Sequence, residues 1–455
     1  MPDNAADFVL DIPGCIGTVS DGRASLALAF RVSMDRFAGI AFSHVPLPVT
    51  PGNFWLLGAG NAQARLVPAL SFVGVAPDQR RVTSDRLYVT SSGSQTSPET
   101  GATVQITAAP ARVRVEAPNQ PNLSVVSASG FSVEYRMVGM RGFGRQIQES
   151  PLGRLTVAAP SKLDHSGQVA GVARLDAGTV VTPCDQWLTE CDSLVHRLLE
   201  ILSLVQGRRL HWCIRELWHG EQWISADLRE SHGSTQESEP LWYQNDLWPF
   251  VELAVTKYSE RLREERGLGL AIEWLFAHSS YAEVKLASAQ ATLEYLAACY
   301  EKSERLSGSA LTKAVFVDHV RPEMELALKR ASAALEGSVD AAQASAAIEL
   351  YGRKLGNLNA LTLRERLFRM LDADRVPYAG LETPLKDAIS ARGSTVHGGG
   401  SSGSPDDLIR HIAVLREVAK RIVLTVLGYK GKYLSYLNGH DEVDLSAMTT
   451  TVVAE

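Results

Sequence analysis

The sequence predicts an α+β multidomain protein, with a β-rich N-terminal region of sandwich-like character followed by an all-α helical bundle. Three observations carry this. Short runs of alternating apolar and polar residues recur through the first 180 or so positions, at 26–30, 104–106, 113–115, 133–137 and 155–157. Clusters of Gly, Pro, Ser and Asn, as at 91–98 and 118–122, separate those runs. From about residue 266 onward, apolar residues recur instead at three- and four-residue steps. Period two puts alternate side chains on one face of a strand, whereas steps of three and four make a helical stripe.

Taken in order, residues 1–182 form a β-rich domain, an antiparallel sandwich or a barrel-like closure. Residues 183–265 form a mixed helix and hairpin extension of it. A helix covers roughly 185–205, with Leu188, Leu194, Leu198, Leu199 and Leu202 on its stripe. Two strand runs, 211–217 and 222–226, flank a turn at His219–Gly220. Five of the eight tryptophans fall in this stretch, at Trp212, Trp218, Trp223, Trp242 and Trp248. Packing of the hairpin against its neighbours accounts for them; a stacking platform for bases or a ligand is the other reading.

The bundle covers 266–440. A helix over 284–306 carries Leu286, Leu293, Leu296, Ala297 and Tyr300 on one side. Another helix ends near 330, and a shorter Ala-rich one starts near 338. Thr362 and Glu365 have the spacing of a capping box, in which hydroxyl and carboxylate each accept from the other's backbone N–H. Thr383 and Pro384 open a helix that Gly393 is expected to close. The last helix is capped by Ser404 and started by Pro405, with Asp406 and Asp407 at the positive end of its dipole. Its stripe runs through Leu408, Ile412, Leu415, Ala419, Ile422 and Val426, and Gly428 ends it. Residues 441–455 lack a pattern and are expected to be a flexible tail.

Composition narrows the function classes. The chain has 455 residues, 45% apolar and 21% charged, an ordinary globular balance. No run of 18 apolar residues occurs, so no spanning helix and no membrane partner are expected. The N-terminus has neither a basic segment nor a long apolar stretch, which predicts a cytoplasmic protein without a secretory leader. The five cysteines are scattered and none forms a CxxC pair, which predicts reduced, buried thiols and no zinc site. No phosphate-binding glycine motif or metalloprotease motif is present, so no cofactor and no metal are expected.

One segment carries a chemical pattern. Around the junction of the last two helices the chain reads Arg392–Gly393–Ser394–Thr395–Val396–His397. Of the eleven histidines only His397 follows an arginine after four to six intervening residues. Arg392 is expected in the last turn of one helix and His397 in the turn that follows. A guanidinium offers a permanently charged fork for a phosphate, and an imidazole moves protons near neutral pH. That pairing suits phosphodiester chemistry.

The order helix, Arg-x4-His, small turn and long amphipathic helix ending in Leu427–Gly428–Tyr429–Lys430–Gly431–Lys432–Tyr433 resembles the HEPN family (higher eukaryotes and prokaryotes nucleotide-binding domain) over roughly 271–439. The β-rich front placed ahead of such a bundle resembles the layout of ApeA-type bacterial anti-phage proteins. The resemblance implies a homodimeric, metal-independent endoribonuclease of an abortive-infection system. In it the ribose 2′-hydroxyl attacks the adjacent phosphate and leaves a 2′,3′-cyclic phosphate. It further implies that Arg392 holds the scissile phosphate and His397 is the general acid and base. Glu294, within Leu293–Glu294–Tyr295–Leu296, would orient them. Ser394, Arg410, Lys430 and Lys432 are the expected RNA contacts. The N-terminal region would sense a phage-derived trigger or restrain the nuclease. Gly393 departs from the polar residue common after the motif arginine, and this favours the alternative: a catalytically silent dimerisation module whose β-rich region binds a partner. A further option is nucleotidyl transfer onto Tyr429 or Tyr433.

Charge bears on the choice. The chain carries net −6, yet residues 353–432 hold 14 basic and 8 acidic side chains, a net of +6. A basic end suits a phosphate backbone. The alternative is a solvated helical surface, since Arg410, Arg416, Lys420 and Arg421 partly follow the polar face of one helix.

Overall fold

The computed structural model describes residues 8–50, 70–97, 101–142, 144–160, 168–230, 239–242, 247–276, 281–304, 306, 308–335, 338–355, 357–398 and 404–448; within these, the side chains of 8, 91–93, 95, 97 and 392–398 are not described. The chain divides into two units, Met1–Lys257 and Tyr258–Glu455.

The first unit contains β1 (Phe8–Ser20), β2 (Ser25–Asp35), β3 (Ile40–His44), β4 (Leu47–Pro48), β5 (Leu70–Val75), β6 (Arg81–Ser97), β7 (Gly101–Pro110), β8 (Arg112–Glu116), β9 (Phe131–Val138), β10 (Gln146–Ser150), β11 (Gly153–Ala158) and β12 (Val169–Asp176). Helix α1 (Cys184–Gln206), β13 (His211–His219), β14 (Gln222–Arg229) and α2 (Trp248–Thr256) complete it. Its strands form one antiparallel sheet in the order β10–β11–β12–β9–β13–β14–β8–β6–β5–β1–β2–β3–β7–β4. Because β6 also pairs with β7, the strands β1–β2–β3–β7–β6–β5 close into a six-strand barrel. Of the two closures expected, the sandwich and the barrel-like one, the strands adopt the barrel, and it continues into an open sheet. The device is the 17-residue β6: its first half pairs with β5 on one edge and β8 on the other, and its remainder pairs with β7.

The barrel core is built from alternate residues of these strands. Phe30, Phe42 and Phe72 meet with ring centroids 5.1–5.2 Å apart, one pair stacked, one tilted and one edge-on. Gly17 and Gly74 face each other across β1 and β5. A Cβ on Gly74 would come within 2.5 Å of the Phe30 ring, so glycine is needed for this close approach.

On the open sheet, β9 presents Val133, Tyr135 and Met137 to one side, and α1 covers them. Trp187 of α1 is fully buried and donates its indole N–H to the Leu152 carbonyl at 2.9 Å. Gly207 ends α1 at φ +63°, the left-handed conformation of a helix stop. The hairpin read at 211–226 is β13–β14, paired to β9 on one side and β8 on the other. Trp212 is buried at 7% exposure, and Trp223 packs against the barrel core. Cys15, Cys184, Cys191 and Cys213 are buried, and all five thiols are free. Burial pushes Cys15 and Cys184 up to about 11 and Cys213 up to about 12, so these thiols stay protonated and unreactive near neutrality.

Where α1 gives way to β13, β14 and β8, the same face becomes charged. Tyr135 donates to Asp192 of α1 at 2.8 Å. Arg215 bridges Asp192 and Asp227, and Arg112 donates to Asp227 from its Nε at 3.0 Å. Burial alone would raise the Asp227 carboxyl, but Arg215 and Arg112 outweigh it and hold it below the usual carboxylate range.

His211 opens β13 with its Nε2 buried and without a partner among the described residues. Burial, reinforced by Arg209, pushes this imidazole down to about 4. An unfolded chain takes up the proton near 6.5, and the folded one does not until about 4. The stability from neutral His211 is thus complete above pH 6.5 and is lost as pH falls toward 4, a change of about 3 kcal/mol. Urea unfolding of wild type and His211→Gln at several pH values checks this. The wild-type curve should fall more steeply between pH 6.5 and 4, and parallel curves would sink the assignment.

The second unit begins with the turn Arg261–Glu265 and α3 (Leu268–Leu275), followed by α4 (Ala282–Ser303). The short helical turns Lys313–Val315 and Phe316–Val320 lead into α5 (Arg321–Leu335), which packs on α6 (Ala341–Leu355). Then come α7 (Leu363–Ala373), α8 (Glu382–Gly398), α9 (Pro405–Val426), β15 (Lys432–Ser435) and β16 (Asp441–Asp444). Helix α4 is central and packs against α3, α7, α8 and α9. Both expected N-terminal caps are present. Thr362 and Glu365 form a reciprocal capping box on α7, and Ser404 and Asp407 do the same on α9. Two expectations are corrected here. The unit is not all-α, and 441–444 is not a tail but the second strand of a hairpin in which Tyr433 faces Val443. The physical reason is Tyr433 itself, a fully buried side chain that draws the segment onto the helices. Residues 449–455 lie outside the described residues.

Candidate functional site

Helix α8 buries Leu385 and Ala388, following Leu381 just before its start. The steps from 381 to 385 to 388 make one stripe, and position 392 continues it. The expected stop at Gly393 does not occur: the helical backbone runs through Gly398. His397 is consequently in the last turns of α8 and not in a loop. A glycine inside a helix costs about 1 kcal/mol, which the flanking turns can carry. Positions five apart on a helix lie about 140° apart around its axis and about 7.5 Å apart along it. The side chains of Arg392, Ser394 and His397 lie outside the described residues.

The neighbouring helix fixes the backbone just ahead of the motif. Gln290 of α4 is 1% exposed and donates its amide to the carbonyls of Ala388 and Ile389, the latter at 3.1 Å. Its Oε1 is buried with no partner among the described residues. The sequence reading passed over Gln290; its signal is a polar residue inside the apolar stripe of α4. Glu294, one turn further along α4, is half-buried and acts electrostatically on Arg366 of α7. Arg366 itself grips Glu301 from Nε at 2.9 Å and Nη2 at 2.8 Å.

Of the four expected RNA contacts, Arg410, Lys430 and Lys432 have described side chains, and they lie at different ends of α9. Arg410 is exposed near the start of α9, 3.6 Å from Asp407. Lys430 and Lys432 are exposed beyond the other end of α9, and Lys432 pairs with Glu442 at 2.6 Å. The part of α9 between Arg410 and Val426 is about 24 Å long.

Lys420 and Arg421 are not on a solvated face, which corrects that reading. They are 2% and 3% exposed, beside Glu417 at 2%. Arg421 donates to Glu417 Oε1 at 3.0 Å, to the Tyr433 hydroxyl at 2.9 Å and to the Pro377 carbonyl at 2.9 Å. The Tyr433 hydroxyl also donates to Glu417, and burial pushes its pKa well up. The hairpin β15–β16 thus covers part of the polar side of α9. Tyr433, with no exposed surface, cannot receive a nucleotidyl group; Tyr429 is half-buried and donates to the Lys432 carbonyl at 2.7 Å.

Among the described residues no group of three or more His, Cys, Asp or Glu side chains is placed to hold a metal ion. No described helix is long and apolar enough to cross a membrane. The chain matches no family model, no curated protein and no solved structure.

Proposed function

We propose that the helical unit is a HEPN-type endoribonuclease that cuts RNA without a metal, as a homodimer, in bacterial anti-phage defence. The observation that carries this reading is Arg392 and His397 in the closing turns of a helix that Gln290 anchors immediately before them. The net charge of +6 over 353–432 supports it. One imidazole takes the proton of the ribose 2′-hydroxyl as the 2′-oxygen bonds to phosphorus. The bond from phosphorus to the 5′-oxygen breaks, and that oxygen takes a proton, so the products are a 2′,3′-cyclic phosphate and a 5′-hydroxyl. Arg392 neutralises the phosphate. Because Arg392 and His397 stand about 140° apart on one helix, a single phosphate is best met by groups from two copies. The N-terminal unit would sense the trigger or regulate the cut.

His397→Ala is expected to lower RNA cleavage about 10²- to 10⁴-fold, with EDTA leaving the wild-type rate unchanged and cyclic phosphate ends on the products. Equal cleavage by wild type and variant, or loss of wild-type cleavage in EDTA, would overturn the proposal. The same 140° separation, with Gly393 after the arginine, favours a second reading in which the unit is a catalytically silent dimerisation module. That reading requires wild type to dimerise while leaving RNA intact.

A further inference from the structure

Strands β8 and β14 pair in a register that sets Arg112 directly opposite Arg229 and Arg114 opposite Asp227. Like charges facing each other across antiparallel strands repel. Three of the four arginines on this face are neutralised. Arg112 donates to Asp227 from both Nε and Nη2, Arg114 meets Glu116 at 2.8 Å, and Arg215 bridges Asp192 and Asp227. Arg229 makes no direct ion pair with a carboxylate among the described residues; Asp192 and Asp227, each held by other arginines, act on it only at longer range. Set against Glu116, Asp192 and Asp227, the four arginines leave the patch with one uncompensated positive charge.

Arg229 is nevertheless held in place. Its guanidinium carbon stands 3.8 Å from the centroid of the Trp212 ring, which belongs to the buried face of the sheet. Stacking engages the flat face of a guanidinium and leaves its N–H edge to bind something else. Arg229 is exposed, and the Arg112 side chain retains 43% exposure, so both are reachable from solvent. The residue as a whole is exposed, but the guanidinium packed on Trp212 is partly desolvated; this desolvation first, and Arg112 second, lower the Arg229 pKa against the opposing pull of Asp192 and Asp227.

We propose that Arg229 and Arg112 form a phosphate-binding site on the β8–β14 pair, with Trp212 as the platform that orients Arg229. A tetrahedral phosphate offers oxygens to two guanidinium groups in different planes and relieves their repulsion. A carboxylate brings two oxygens and one negative charge, whereas a phosphate brings three or more oxygens in different planes and close to two negative charges. The ligand is either free phosphate or a small phosphorylated metabolite. The site lies within the first unit and does not rest on the ribonuclease reading.

Calorimetric titration of the full chain with inorganic phosphate, against acetate and chloride at matched ionic strength, tests the assignment. Saturable binding of phosphate alone is expected, weakened about tenfold or more in Arg229→Gln, since hydrogen bonds to charged groups contribute about 1.5–3 kcal/mol. Arg229→Lys keeps the charge without the planar fork and should fall between the two. Adenosine monophosphate binding more tightly than phosphate identifies a phosphorylated metabolite as the source; equal affinity identifies free phosphate. No saturable heat with either, equal binding of acetate, or unchanged binding by Arg229→Gln would overturn the proposal. Because Arg229 is exposed, the variants keep the fold, which thermal melting verifies.

Discussion

Replacing Arg421 by alanine should lower the stability of the helical unit by about 3–5 kcal/mol, the usual cost of stranding a buried charge. Arg421 is the hub of a network closed to water. Without it, Glu417 keeps only the Tyr433 hydroxyl, the Pro377 carbonyl loses its donor, and Tyr433 of the hairpin keeps one of its two hydrogen bonds to α9. Glu417 already has one buried oxygen, Oε2, without a partner among the described residues, so no spare donor there softens the loss. Tyr433→Phe removes one donor and should cost about 1–3 kcal/mol. The double replacement Glu417→Leu with Arg421→Met should recover much of the loss, because two apolar side chains of similar volume strand no charge. Denaturant unfolding of the four proteins measures this. An Arg421→Ala variant within 1 kcal/mol of wild type would mean that water reaches the network.

Arg215→Ala should be comparably damaging in the first unit, by about 3 kcal/mol at neutral pH. Arg215 touches two carboxylates, and the side chain of Asp227 is only 3% exposed. With Arg215 gone, Asp227 retains Arg112 alone, and burial then acts with less opposition to raise its pKa. The pH dependence has a definite sign. In wild type the lowered Asp227 pKa contributes stability that is present above the unfolded value near 3.9 and is lost as pH falls through the folded value. The gap between wild type and variant is therefore widest near neutrality and closes on acidification. A gap that stays constant or grows below pH 4 would show that the ion pair is not its source.

Local features that depend on near neighbours were legible. Thr362 with Glu365 and Ser404 with Asp407 satisfy backbone donors three residues away, so three letters are enough to find them. The stripe of α9 and the alternation of β9 show in the chain because burial repeats with the geometry of the element itself. Gly393 misled for a related reason. Glycine favours a helix stop only weakly, and whether α8 ends there depends on what holds the following turns.

The candidate site was legible as a pair of letters and not as a geometry. Arg392 and His397 stand out by spacing, but Gln290, which pins the helix before them, lies 98 residues from the carbonyl it holds at Ala388. The charge balance was similarly incomplete. Lys420 and Arg421 count toward a basic end in the sequence, yet they are buried among Glu417, Tyr433 and Tyr436.

The sequence by itself determined several of the strands, among them β2, β8, β9, β11 and the β13–β14 hairpin, the long helices, where α7 and α9 begin, and that the chain changes from β-rich to helical near its middle. These follow from periodicity and caps, which act over a turn or two. Only the tertiary structure decided that the strands close into a barrel, that β15 and β16 cover α9, and that Arg112 meets Asp227 across 115 residues. Such contacts are selected by burial and charge complementarity between distant segments, and those forces leave no repeating mark along the chain.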